Sequence, residues 1–177
     1  HFKVIIILIE EVKKSIDLDH YSYDQWSPND NKGLYAISID DIKNIQFFHK
    51  LEEHECIFEC AANSKRENLL YIGIGTNIYS RLWDQDLQGR GPATFFRKIG
   101  SVLGFKSEKK GKNFAFSGED KSKIIAWNEK HIRIQTFRGE DIYRHEYNLI
   151  EYFKPAFNAT NGHTGCAGVN KLLKENK

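Results

Sequence analysis

The seven residues Leu69–Gly75 (LLYIGIG) constrain this chain more than any other stretch. They alternate with a two-residue period. Leu70, Ile72 and Ile74 fall on one face and Tyr71, Gly73 and Gly75 on the other, which is the pattern of a strand. Gly73, two residues from Tyr71, leaves that face open to something bulky. Gly33–Ile39 (GLYAISI) alternates in the same way, with Tyr35, Ile37 and Ile39 on one side. His131–Phe137 supplies a third strand, with Ile132 and Ile134 inward. If the first two strands pair, Tyr35 and Tyr71 share a face.

Helical spacing fills the intervals. Residues 40–54 carry Ile42, Ile45, Phe48 and Leu51 three apart, and Cys56–Cys60 reads as a short strand. Asn77 can cap a helix running to about Asp86. Another helix starts near Pro92, with Phe95, Phe96, Ile99, Val102 and Leu103 on one stripe. Residues 104–118 are rich in Lys and Gly and read as a loop. Ser117 and Asp120 resemble a capping box ahead of a helix through Trp127. Residues 140–153 form the clearest helix, and the end of the chain adds a Gly-rich stretch and a last short helix. Few strands mixed with helices argue for an α+β domain.

Bulk properties narrow the class. Apolar residues make up 40% of the 177 and charged residues 28%, a globular rather than disordered composition. The longest apolar run, Val4–Ile9, is far too short to span a bilayer and lacks a basic leader, so a cytoplasmic location with no membrane partner is expected. Three cysteines make no disulfide framework. His54, Cys56 and Cys60 have no recognised zinc spacing and read as ordinary side chains. A net charge of +2 means that any nucleic-acid surface must come from local clustering. Such a cluster exists: Arg97, Lys98, Lys109, Lys110 and Lys112, with further lysines nearby, fit a clamp on a phosphate backbone.

Two charges stand where apolar residues belong. Glu146 lies four residues after Ile142 and three before Leu149, on the inward stripe of its helix. An unpaired carboxylate there is costly, so it needs an arginine, hydrogen-bond donors or a metal. Arg81 sits beside Ile78 and Leu82 on the inward side of its own helix.

These residues together resemble the GIY-YIG nuclease family. GLY at 33–35 and YIG at 71–73 are similar to the two halves of its signature. Arg81 follows Tyr71 by the family's spacing, and EYNLIEYFKPAFN (146–158) resembles its closing element. The stretches FFRKIGSVLGF (95–105) and WNEKHIRI (127–134) also look like a prokaryotic stand-alone branch. The resemblance implies a small, mainly antiparallel three-stranded sheet flanked by helices. Residues 33–160 would form the catalytic domain, with 1–32 as an N-terminal extension and 161–177 as a tail. The first two strands stand further apart than in compact members, so residues 40–68 are an insertion.

The resemblance further implies a metal-dependent endonuclease acting on DNA, with Tyr35, Tyr71, Arg81, Glu146 and Asn158 as its catalytic residues. Glu146 would hold Mg²⁺ or Mn²⁺, Arg81 would meet the phosphate oxygens, and Asn158 would orient the surroundings of Glu146. One tyrosine would act on the water. Some members carry a histidine one turn after the arginine; here that position is Gln85, which leaves Tyr35 as the first choice of base. A silent nucleic-acid-binding module and an RNA nuclease are the rival readings. One site cuts one strand, so a double-strand cutter would have to form a homodimer or act twice.

Overall fold

The computed structural model describes residues 17–18, 32–39, 69–111, 113–138, 141–159 and 165–177. Its strands are β1 (Asp17–Leu18), β2 (Gly33–Ile39), β3 (Leu69–Gly75), β4 (Glu108–Lys110), β5 (Asn113–Ala115) and β6 (Ile132–Arg138). Its helices are α1 (Tyr79–Leu87, of the wide π type), α2 (Thr94–Val102), α3 (Gly118–His131), α4 (Ile142–Phe153) and α5 (Ala167–Glu175). The expected α+β fold is present: β6, β2 and β3 form an antiparallel sheet, and two-residue β1 adds to its β6 edge. The expected insertion at 40–68, with its helix and its His54, Cys56 and Cys60, lies outside the described residues. Among the described residues no helix is long and apolar enough to cross a membrane.

The register puts Tyr35 opposite Gly73 and Ile37 opposite Tyr71, so the two tyrosines do share a face. The bulky group over Gly73 is the Tyr35 ring itself; a Cβ at position 73 would collide with it. A register shift between Ile37 and Ser38 alters the expected facing. Leu70, expected beside Ile72, packs with Tyr35 and Tyr71, while Leu69 packs with Ile72. An extra residue on one strand of a ladder flips the alternation beyond it.

Helices cover both faces. On one, Leu149, Ile150 and Phe153 of α4 pack on Leu34, Ala36, Leu69 and Ile72. On the other, Leu82 and Trp83 of α1, Phe95 and Ile99 of α2 and Val169 of α5 enclose Tyr35, Ile37 and Tyr71. β3 is an edge strand, and the segment after α4 covers that edge. Lys154 takes a left-handed conformation (φ 47°) that ends α4, and Pro155 follows. The Phe157 N–H then donates to the Leu70 carbonyl at 2.8 Å. The Asn158 side chain brackets Ile72, accepting from its N–H at 2.8 Å and donating to its carbonyl at 2.7 Å. Edge groups that would otherwise stay unpaired are thus satisfied.

Three local expectations change. Residues 104–118 are not a plain loop, because β4 and β5 form a hairpin there. The β4 side chains are all exposed, so no buried face marks the strand in the sequence. The helix capped by Ser117, which accepts from the Asp120 N–H at 3.1 Å, runs to His131 rather than Trp127. Residues 165–177, expected within a tail, pack into the core: Cys166 and Val169 are buried, and Asn176 Nδ2 donates to the Ser101 carbonyl at 3.0 Å.

Candidate active site

A cavity of about 270 Å³ opens at the β3 edge, where both helical layers meet the sheet. Tyr71, Arg81, Thr94, Lys98, Glu146 and Asn158 line it. Sequence elements more than seventy residues apart therefore converge on one space. Of the five residues expected to be catalytic, four line the cavity. The fifth, Tyr35, is fully buried beneath Gly73 and does not.

Arg81 is held from several sides. Asn77 accepts from the Ser80 N–H at 3.0 Å, opening the turn that leads into α1. The Arg81 Nη1 donates to Gln85 Oε1 at 2.8 Å and to the Pro92 carbonyl at 3.2 Å. Its Nη2 donates to the Tyr71 hydroxyl at 3.4 Å and lies 3.8 Å from Asp86 Oδ2. Gln85 thus serves as a strut for the arginine. The wide π turn also matters: its bonds run from residue i to i+5, which draws residues five apart towards one side. Asp86 consequently stands by Arg81, although α-helical spacing would pair Arg81 with Gln85 alone.

Asp86 was missed by sequence reasoning. It is fully buried, and its carboxylate accepts from the Tyr35 hydroxyl at 2.5 Å and from the Phe95 N–H at 3.1 Å. Acceptor bonds on both oxygens are the pattern of an ionised carboxylate. Ala93 gives α2 no side-chain cap, so Asp86 fills that place from a neighbouring helix. Burial pushes the Asp86 carboxyl up, while Arg81, the Tyr35 hydroxyl and the α2 amides pull it down; the net direction is upward. A signal was present: Ile78, Leu82 and Asp86 are spaced by four, so Asp86 falls on an apolar stripe as Glu146 does.

The other groups respond to burial and charge in definite directions. Burial raises the Tyr35 phenol well above the ordinary tyrosine range, with Asp86 and Tyr71 adding to the effect. Burial also raises Tyr71, with Asp86 adding and Arg81 opposing. Tyr35 donates its proton to Asp86 out of reach of the cavity, so the geometry speaks against it as the base that the sequence suggested. Arg81 is lowered by burial and raised by Asp86, Tyr35 and Tyr71; the net shift is upward. Glu146 is half-buried and raised, chiefly by burial and against the pull of Arg81.

The expected basic clamp divides. Arg97, Lys109 and Lys110 are exposed, as a backbone clamp requires, and Lys112 lies outside the described residues. Lys98 is not part of such a surface. It is buried, only 6% exposed, and its ammonium donates to the Phe157 carbonyl at 2.5 Å inside the cavity wall. The reason is its position between Phe95 and Val102 on the apolar stripe of α2.

Glu146 fits a hard divalent cation. It makes no hydrogen bond or ion pair with any described residue, yet it faces a cavity, which is the situation of a carboxylate open to a metal. Among the described residues no group of three or more His, Cys, Asp or Glu side chains is placed to hold a metal.

Comparison with curated proteins and with solved structures returns no match. The family model described as the GIY-YIG catalytic domain matches residues 33–176, which takes in both tyrosine tripeptides, Arg81, Glu146, Asn158 and the packed final helix. With the paired GLY and YIG strands and the cavity at their edge, this places the chain in the GIY-YIG family of nuclease domains.

Proposed function

We propose that the protein is a metal-dependent endonuclease that hydrolyses DNA phosphodiester bonds. The observation that carries this reading is the meeting of Tyr71, Arg81 and Glu146, from three separate elements, in one cavity at the sheet edge. Among the described residues three of the five Arg81 N–H donors are engaged with Gln85, Pro92 and Tyr71, and Asp86 lies 3.8 Å from Nη2, which leaves Nε–H as the donor with no such partner for a phosphate oxygen. Its struts fix the guanidinium before substrate arrives, so little reorganisation is needed when charge develops on the phosphate. Tyr71 accepts from Arg81 and keeps its own O–H to donate into the cavity, where it can orient the attacking water or a phosphate oxygen. Because burial holds both phenols protonated, each acts as a donor here: Tyr71 towards the reacting groups, Tyr35 towards Asp86. Asp86 positions Arg81 and the first turn of α2 without touching substrate. Asn158 positions the segment that carries the cavity wall past Glu146. Mg²⁺ or Mn²⁺ held by Glu146 would supply Lewis acidity at the phosphate and charge for the leaving oxygen.

Nicking of supercoiled plasmid with and without Mg²⁺, wild type beside Glu146→Ala, tests the reading. Metal-dependent nicking that disappears in Glu146→Ala is expected. A folded wild type that cuts neither DNA nor RNA would favour a silent binding module; cutting confined to RNA would move the substrate class.

A further inference from the structure

Lys98 presents a problem that packing does not answer. Lys98 is 6% exposed as a whole residue, and buried charges are ordinarily paired. Among the described residues Lys98 makes one hydrogen bond, to the Phe157 carbonyl, out of the three donors an ammonium carries. No described carboxylate forms an ion pair with it. The two acidic groups of the site have another opposing charge, because Arg81 acts on both Asp86 and Glu146. A neutral donor would satisfy the Phe157 carbonyl without the burden of a desolvated charge. Burial, with the nearby Arg97, lowers Lys98 from the ordinary lysine range, the direction expected for a cation kept without a counter-ion.

Lys98 lines the cavity that Arg81 and Glu146 also line. We propose that Lys98 is a substrate-contacting residue of this cavity, whose ammonium binds an oxyanion of the scissile phosphate beside Arg81. The identity of that anion rests on the nuclease reading; the need for an anion rests on Lys98 itself. The lysine differs in kind from Arg97, Lys109 and Lys110. Those are exposed and act through solvent, where salt screens them. Lys98 acts in a space from which most water is excluded, where a charged hydrogen bond is stronger. Its removal should therefore impair the chemical step more than duplex affinity.

The test uses the full chain, with Lys98→Met to keep the stem and remove the charge, and Lys98→Arg to restore a cation. Inorganic phosphate binding is followed by calorimetry, and plasmid nicking in single turnover. In Lys98→Met we expect phosphate affinity to fall about tenfold and nicking about 100-fold, the scale of losing one charged donor to a transition state. Lys98→Arg should recover part of both, duplex affinity should move little, and melting should not fall. Unchanged phosphate binding and unchanged nicking in Lys98→Met would overturn the proposal and leave Lys98 as a tether for Phe157. A measurement on the wild type guards against a variant that does not fold. With lysine ¹³C-labelled at the ε position, phosphate should raise the titration midpoint of Lys98, and a midpoint that stays put overturns the assignment. A wild type that nicks nothing, yet binds phosphate in a Lys98-dependent way, would count against the nuclease reading and for the anion contact.

Discussion

The two faces of the sheet are built on different terms. Beneath α4, Leu34, Ala36, Leu69 and Ile72 meet Leu149, Ile150 and Phe153 in an apolar cluster, with the amide of buried Gln135 opposite Ala36 and no buried carboxylate or ammonium among the described residues there. On the opposite face, Ile37, Ile39 and Ile134 share the interior with two phenols, and a buried carboxylate lies against one of them. The first face stabilises by removing apolar surface from water. The second gives up part of that gain to hold Tyr35, Tyr71 and Asp86 away from water, and recovers it only in part through hydrogen bonds. Folding alone does not require the second arrangement, since the first face shows that the same strands pack well without it. The polar face is the one that fixes Arg81 at the cavity.

The largest expected effect separates these faces. Arg81→Ala should slow single-turnover nicking by about 10³-fold, the lower end of what a phosphate-directed arginine contributes. Leu149→Ala, on the apolar face, should lower stability by about 2–5 kcal/mol through lost burial and a residual cavity. The rate per folded molecule should stay at the wild-type value. Denaturant melts beside nicking rates decide the matter. If Leu149→Ala slowed chemistry as much as Arg81→Ala, the division of labour between the faces would be wrong.

Asn158 belongs to neither face, because it closes the β3 edge between them. Its amide uses both of its ends on Ile72 and is 2% exposed. Asn158→Ala should therefore act mainly on stability, by about 1–3 kcal/mol for the Ile72 groups left unpaired. Activity should fall only as the edge loosens. A stable Asn158→Ala protein with nicking lost would instead make this residue part of the chemistry.

What could be read from the sequence follows from how each element is buried. Strands β2, β3 and β6 alternate because one or both of their faces are covered, and α4 shows its stripe because one side meets the sheet. The β4–β5 hairpin was illegible because its residues bury little and leave no period. Leu70 was assigned to the wrong face because a bulge depends on how two strands pair, which neither strand reveals alone. The site is more instructive. Four charges lie on inward stripes: Arg81 beside Ile78 and Leu82, Glu146 after Ile142, Asp86 after Ile78 and Leu82, and Lys98 between Phe95 and Val102. The sequence shows Arg81 and Glu146 in that way, and all four belong to the site. The spacing of Asp86 after Ile78 and Leu82 marks it as buried, but its place beside Arg81 depends on a π turn that the sequence does not show; Lys98 is masked by its neighbours in a basic run, where position on the helix matters more than company in the sequence.

The smallest expected effect has the opposite sign from the others. Burial raises the Glu146 carboxyl above the ordinary glutamate range, and Arg81 offsets this only in part. The folded chain therefore holds the Glu146 proton more tightly than the unfolded chain does. Its contribution to stability is present at low pH and is lost as pH rises through the raised value. At neutral pH, without metal, an ionised Glu146 thus works against folding, and Glu146→Gln should melt higher than the wild type by roughly 2 °C. The gap should close below about pH 4, where the wild-type carboxyl is protonated in both states. Mg²⁺ should reverse the order, because a ligand that binds the folded carboxylate stabilises the wild type and not the variant. Melting curves across pH, with and without Mg²⁺, supply the check. A variant that melts lower at every pH would show Glu146 to be a stabilising partner of Arg81, placing it with the supports of the polar face rather than with the groups left open to the cavity.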